Sequence, residues 1–181
     1  SNFGADALAD ILTGDVNPSG KLPITYPQYT NSLAGYIHKP SEGNNNPQGG
    51  ESNAQYQFGF GLSYTTFESS NLTIDKKTYA PGETAVINVT VKNTGSRDGK
   101  EVVQLFTSDL VASLTPDVKR LRGFEKIDLK AGESKKVTFR LPMKDLTFVN
   151  PDNKKVLEAG DFKIMVGNEG AIITVNKTMF F

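Results

Sequence analysis

Ile87-Asn88-Val89-Thr90-Val91-Lys92 alternates apolar and polar residues at every step. Successive side chains of a strand point to opposite faces, so this stretch predicts a β-strand with Ile87, Val89 and Val91 buried. The same period recurs downstream. Val137, Phe139 and Leu141 alternate with Thr138 and Arg140, and Phe162, Ile164 and Val166 with Lys163 and Met165. Ile173 and Val175 alternate with Thr174 and Asn176. Glu101 to Thr107 is apolar on both faces, through Val102, Val103, Leu105 and Phe106, which predicts a more central strand. Pro81-Gly82-Glu83, Ala131-Gly132-Glu133 and Ala159-Gly160-Asp161 precede strands with nearly the same wording. Asn93-Thr94-Gly95-Ser96 and Asp98-Gly99 mark another turn.

About seven short strands over roughly a hundred residues, from Ser69 to Phe181, predict an immunoglobulin-like or fibronectin-like β-sandwich. The chain has no cysteine and no tryptophan. The immunoglobulin disulfide and core tryptophan are therefore impossible, and the fibronectin type III style is expected. Its core must come from the alternating apolar faces alone.

Upstream of the sandwich the pattern changes. Ala5, Leu8, Ala9 and Leu12 lie at helical spacing with Ile11 beside them, and Gly14 is placed to end the helix in a left-handed conformation. A helix this short is not stable alone, so its apolar face needs a cover. Nothing else in the first thirty residues offers one, and residues 1–27 are expected to be a small α/β remnant. Asp15-Val16-Asn17-Pro18-Ser19-Gly20 is turn chemistry, and Lys21 to Tyr26 is expected to be extended, with Pro23 favouring an edge. Residues 28–68 form a long, aromatic-rich linker. Tyr29, Tyr36, Tyr56, Phe58, Phe60, Tyr64 and Phe67 flank the breaker-rich run Gly43 to Gly50. So many rings predict packing over another surface.

Composition closes off several function classes. The 181 residues carry 20 basic and 20 acidic side chains, so no global field draws in nucleic acid or an anionic membrane. No apolar run approaches the ~20 residues of a membrane-spanning helix. Without cysteine there is no thiolate chemistry, and the single histidine, His38, rules out a histidine-rich metal site. Ser1-Asn2-Phe3-Gly4 has no signal-peptide character and runs straight into the helix, so it reads as a boundary inside a longer chain.

The remaining motifs have plain readings. Gly14 to Lys21 lacks the spacing, the hydroxyl residue and the following helix of a phosphate loop. Gly59-Phe60-Gly61 lacks the third glycine of a dinucleotide fingerprint and instead predicts a chain passing close to another backbone. Glu42 and Glu51 bracket the glycine-asparagine loop as solvated acids. Paired catalytic carboxylates need a rigid separation of about 5–5.5 Å for retaining glycoside hydrolysis. Arg120 and Arg122 share one strand face, expected to be solvated. Three glycosylation sequons begin at Asn71, Asn88 and Asn176, and they matter only in a eukaryotic secretory pathway.

The stretches Ala7 to Pro23 (ALADILTGDVNPSGKLP) and Phe58 to Phe67 (FGFGLSYTTF) resemble the C-terminal region of glycoside hydrolase family 3 enzymes of the β-glucosidase/β-xylosidase type. Leu121-Arg122-Gly123-Phe124-Glu125-Lys126, Gly132-Glu133 and Val137-Thr138-Phe139 resemble that family's fibronectin type III-like domain. The resemblance implies a barrel domain supplying a nucleophilic aspartate and an α/β sandwich domain supplying an acid/base glutamate. Both lie upstream of this chain, so no catalytic residue carries over. It further implies retaining hydrolysis of terminal non-reducing β-linked sugars, with no cofactor and no metal, in a periplasmic or secreted setting. The chain would stabilise the catalytic domains, its expected partners, with 69–181 as the fibronectin-like domain. On a variant of this reading His38, Glu51, Tyr56 and Phe58 line an outer sugar subsite. An independent carbohydrate-binding module or an adhesion module are the competing expectations.

Overall fold

The structure, a computed structural model, describes residues 3–30, 35–39 and 54–181. Helix α1 spans Gly4–Thr13. Two short strands follow, β1 (Tyr26–Pro27) and β2 (Ala54–Tyr56). The sandwich then runs through β3 (Phe67–Ile74), β4 (Thr78–Tyr79), β5 (Thr84–Asn93), β6 (Gly99–Asp109), β7 (Arg120–Leu129) and β8 (Ser134–Pro142). After a 3-10 turn at Met143–Leu146 come β9 (Phe148–Val149), β10 (Lys155–Leu157), β11 (Gly160–Val166), β12 (Glu169–Val175) and β13 (Met179–Phe180).

Two sheets make the sandwich, one ordered β4-β12-β11-β6-β7 and the other β3-β5-β8. All their pairings are antiparallel except β4 with β12. The alternating stretches behave as their period requires. Ile87, Val89 and Val91 of β5 and Val137, Phe139 and Leu141 of β8 meet Leu105, Ile127, Ile164 and Ile173 from the facing sheet in one buried core. Each fully buried aliphatic side chain contributes about 1.5–3 kcal/mol of transfer free energy. Strand β6 sits between β11 and β7, as its two apolar faces predict. A small sheet, β13-β10-β9, closes one end and places Val156 and Leu157 in the interior.

The repeated Gly-Glu wording has a local cause. Glu83 accepts the Ala80 N–H at 2.7 Å while its own N–H donates to Ala80 O at 3.0 Å. Glu133 repeats both bonds with Lys130, at 2.7 and 3.0 Å. In each case a carboxylate satisfies the amide three residues back and locks the turn that feeds the next strand.

Two expectations need correction. Lys21 to Tyr26 is strand only at its end. Leu22 does pair, accepting from Gly59 N–H at 2.9 Å and donating to Phe60 O at 2.8 Å, but Pro23 has no N–H to continue the ladder. The face carrying Arg120 and Arg122 is not simply solvated. Arg120 Nε donates to Asp117 Oδ2 at 2.5 Å, and Arg122 is half-buried with its Nε donating to Thr107 Oγ1 at 2.9 Å. A register shift between Leu105 and Phe106 leaves Arg122 as the extra residue of β7, with no partner residue on β6 in the ladder.

Candidate functional site

The turn after α1 is the point where the N-terminal segment is fastened to the sandwich. Gly14 takes φ 86° and its N–H reaches Ile11 O at 3.1 Å, ending the helix as anticipated. Asn17 then makes three bonds. Its Nδ2 donates to Asp98 O at 3.0 Å, and its Oδ1 accepts from Ser63 Oγ at 3.0 Å and Tyr64 N–H at 2.8 Å. One side chain thus joins the turn, the end of the linker and the β5–β6 loop. Arg97 Nη2 donates to Gly14 O at 2.9 Å and lies over the Tyr64 ring, whose hydroxyl donates to Ile11 O at 2.6 Å. Lys21 pairs with Glu101 of β6 at 3.1 Å, both largely shielded.

Close approach and backbone conformation explain the glycines of the linker's end. A Cβ on Gly61 would lie 2.1 Å from Gly20 O, and Gly59 takes φ 83°, a conformation that favours glycine, with the movable Gln104 amide beside it. Behind this junction Asn93 is fully buried and fully used. It donates to Arg97 O at 2.7 Å and Leu129 O at 3.2 Å, and accepts from Thr65 Oγ1 at 2.6 Å and Gly95 N–H at 3.1 Å. A buried amide with all these bonds made fixes one arrangement of its neighbours.

Residues 35–39 of the linker lie against the start of β7, an edge of the five-stranded sheet, and the loop before it. Tyr36 Oη accepts the Leu121 N–H, and His38 O accepts the Val118 N–H at 3.0 Å. Lys39 Nζ pairs with Asp117 Oδ1 at 2.6 Å. Burial pushes the Asp117 carboxyl up, but the bonds from Lys39 and Arg120 outweigh it and hold the group below its ordinary value.

The four residues singled out for an outer sugar subsite fall into different surroundings. His38 is half-buried, with Nδ1 3.3 Å from Tyr36 O. Phe58 lies 4.1 Å from Tyr36 between centroids, the rings tilted by 30°, and meets Phe106 edge-on at 6.3 Å, so its ring is engaged by two others. Tyr56 is exposed, pairs across β1–β2 with Tyr26 and stacks on Phe60 at 4.9 Å. Glu51 lies outside the described residues. Among the described members, Tyr36 joins His38 to Phe58, and Tyr56 stands apart in a second ring cluster. Asn17, Lys21 and Arg97 were missed as functional residues because short polar and charged side chains in a turn look solvated unless their distant partners are known.

What this surface offers is attachment. No residue of α1 is buried, and Leu8 and Leu12 are 57% and 74% exposed. Phe3, Val16, Ile24, Tyr26, Tyr56 and Leu62 are also exposed on the segments around the junction. Scattered exposed apolar residues are ordinary, but here an exposed apolar helix face, without a cover among the described residues, lies on the same N-terminal segment as exposed rings. Among the described residues no group of three or more His, Cys, Asp or Glu could hold a metal, and no helix is long and apolar enough to cross a membrane.

Two family models match the chain. Residues 2–64 match the glycosyl hydrolase family 3 C-terminal domain, and residues 101–170 the fibronectin type III-like domain. The lysosomal β-glucosidase of Dictyostelium discoideum is 43% identical over 92% of this chain and 21% of its own length. The periplasmic β-glucosidase of Salmonella typhimurium is 40% identical over 93% of this chain and 23% of its own. A solved β-glucosidase from Erythrobacter marinus superposes with a TM-score of 0.86 at 38% identity, over 95% of this chain and 24% of that one. The chain therefore spans between a fifth and a quarter of the length of the curated relatives it matches.

Proposed function

The chain belongs to glycosyl hydrolase family 3, as its C-terminal region, and on that premise we propose that it is the non-catalytic closing segment of a retaining β-glycosidase acting on terminal β-linked sugars. Its task is to hold the upstream catalytic domains in register. The observation that carries this reading is the bare apolar face of α1, anchored to the sandwich at its C-terminal end by Tyr64 and Arg97. The helix is presented on a rigid base and its open side waits for polypeptide. Residues 1–27 would complete the α/β domain, 28–68 would strap it down, and 69–181 would form the sandwich that supports both.

The physical gain is placement. In a retaining enzyme the two carboxylates must sit about 5–5.5 Å apart, and a displacement of about 1 Å costs on the order of 10²-fold in rate. A support that fixes one domain against another contributes to turnover without touching substrate. Where the linker reaches the active-site mouth, His38, Glu51, Tyr56 and Phe58 would form an outer subsite, with Tyr56 presenting the exposed ring. Tyr56→Ala in the full-length protein should then raise KM for longer substrates several-fold and leave kcat for an aryl-glucoside unchanged. A periplasmic, lysosomal or secreted setting follows the named compartments of the two relatives.

The test is an aryl-β-glucoside assay of this chain alone and of the full-length protein. Turnover is expected only from the full-length protein, and Leu8→Ser with Leu12→Ser there should lower it. Robust turnover by the chain alone, or full activity in the doubly substituted protein, contradicts the proposal.

A further inference from the structure

A cleft of about 470 Å³ opens beside the loop that joins β6 to β7, next to the 3-10 turn. That volume lies within the roughly 300–1,000 Å³ typical of small-molecule sites. Leu114, Leu146, Phe148 and Phe162 supply apolar wall. Of the charged side chains lining it, two of opposite sign, Asp109 and Arg122, are partly shielded and have no ion-pair partner among the described residues, whereas Lys155, also unpaired among them, is exposed to solvent and needs none. Asp109, at the end of β6, accepts only the Val111 N–H, at 3.2 Å. Burial, with a smaller contribution from Glu158, pushes its carboxyl up to about 6. Arg122 of β7 spends Nε on Thr107, and its two Nη atoms have no partner among the described residues. Burial draws its guanidinium below the ordinary value. Asp117, at the same cleft, makes the contrast, since Lys39 and Arg120 saturate it.

Partly buried charge without a partner costs free energy, and here the cost is met twice around one opening. A simple anion would satisfy Arg122 and be repelled by Asp109, and a cation would do the reverse. A hydroxyl both donates and accepts. Adjacent hydroxyls on a ring whose faces are apolar match the whole lining.

We propose that this cleft binds one or two neutral pyranose units, with hydroxyls donating to Asp109 and accepting from Arg122 and an apolar ring face against Phe148 and Leu114. The choice of a sugar rests on the glycosidase reading above, while the site itself belongs to the sandwich.

A protein-detected NMR titration of this chain with cellobiose, D-glucuronate and L-leucine tests the idea. Cellobiose should saturate one site, with shifts concentrated at Thr107, Asp109, Arg122 and Phe148. Asp109→Asn and Arg122→Gln should each weaken it at least tenfold. Leu114→Trp, at a 41% exposed position that tolerates bulk, should block the cleft while leaving both charges in place. Lys136→Ala, on the outer face of β8, should change nothing. Lack of saturation by cellobiose, affinity unmoved by all three cleft variants, or saturation by glucuronate or leucine alone overturns the proposal. Because the chain is titrated without its parent, the outcome is independent of whether the parent cleaves glycosides.

Discussion

Tyr79 is fully buried and still carries a hydroxyl that needs partners. It donates to Asp75 Oδ1 at 2.7 Å and accepts the Lys76 N–H at 3.1 Å. Asp75 Oδ1 also accepts the Val86 N–H at 2.7 Å, so one carboxylate ties the turn before β4 to β5. The Tyr79 hydroxyl, then the Val86 amide, hold Asp75 below the usual carboxylate range, and burial, then the Asp75 bond, push Tyr79 up to about 12. Tyr79→Phe strands the Lys76 amide and removes a charge-assisted bond, so urea unfolding should show a loss of about 1–3 kcal/mol. An unchanged midpoint would mean the hydroxyl adds no net stability. Asp109 has the opposite sign. Its native carboxyl titrates near 6 against an ordinary 3.8. Between those values the folded chain holds a proton that the unfolded chain has released, so Asp109 favours folding at low pH and that contribution is lost as pH rises through about 6. Asp109→Asn should therefore raise the melting midpoint over the natural chain by an amount that grows from about pH 4 to about pH 8 and then levels off. A pH-independent difference would show that the carboxyl is not perturbed.

At the scale of elements, the sandwich was open to reading and the junction only partly so. Period-two alternation is a local signal, and β5, β8, β11 and β12 each carry it in their own residues. Gly61 was expected to mark a close backbone approach, and Gly20 O supplies it. The hydrogen-bond and ion-pair partners of the side chains of Asn17, Lys21 and Arg97 lie 46 to 83 residues away in the chain, and no local pattern encodes them. Arg120 and Arg122 were misjudged as solvated because their partners, Asp117 in the preceding loop and Thr107 on β6, lie outside their own strand. Gly61→Ala probes the junction itself. The added methyl meets backbone and must displace it, so trypsin should cleave after Lys21 several-fold faster while the sandwich keeps its melting midpoint. Unchanged cleavage would mean the contact between residues 20 and 61 does not hold the segment.

At the scale of the whole molecule, two regions of different self-sufficiency share one chain. The sandwich buries its own core, from Tyr79 through Val175. The N-terminal helix buries none of its residues. Helices of about ten residues are marginal in water, so α1 depends on its C-terminal tether and on whatever covers Leu8 and Leu12. Composition closes off thiolate chemistry and a histidine-rich metal site, and the chain is similar to the C-terminal part of β-glucosidases. The exposed face connects those two facts. Amide hydrogen exchange over Gly4–Thr13, compared between this chain alone and the full-length protein, measures that cover directly. Protection at least tenfold greater in the full-length protein is predicted, and equal exchange in the two would contradict it.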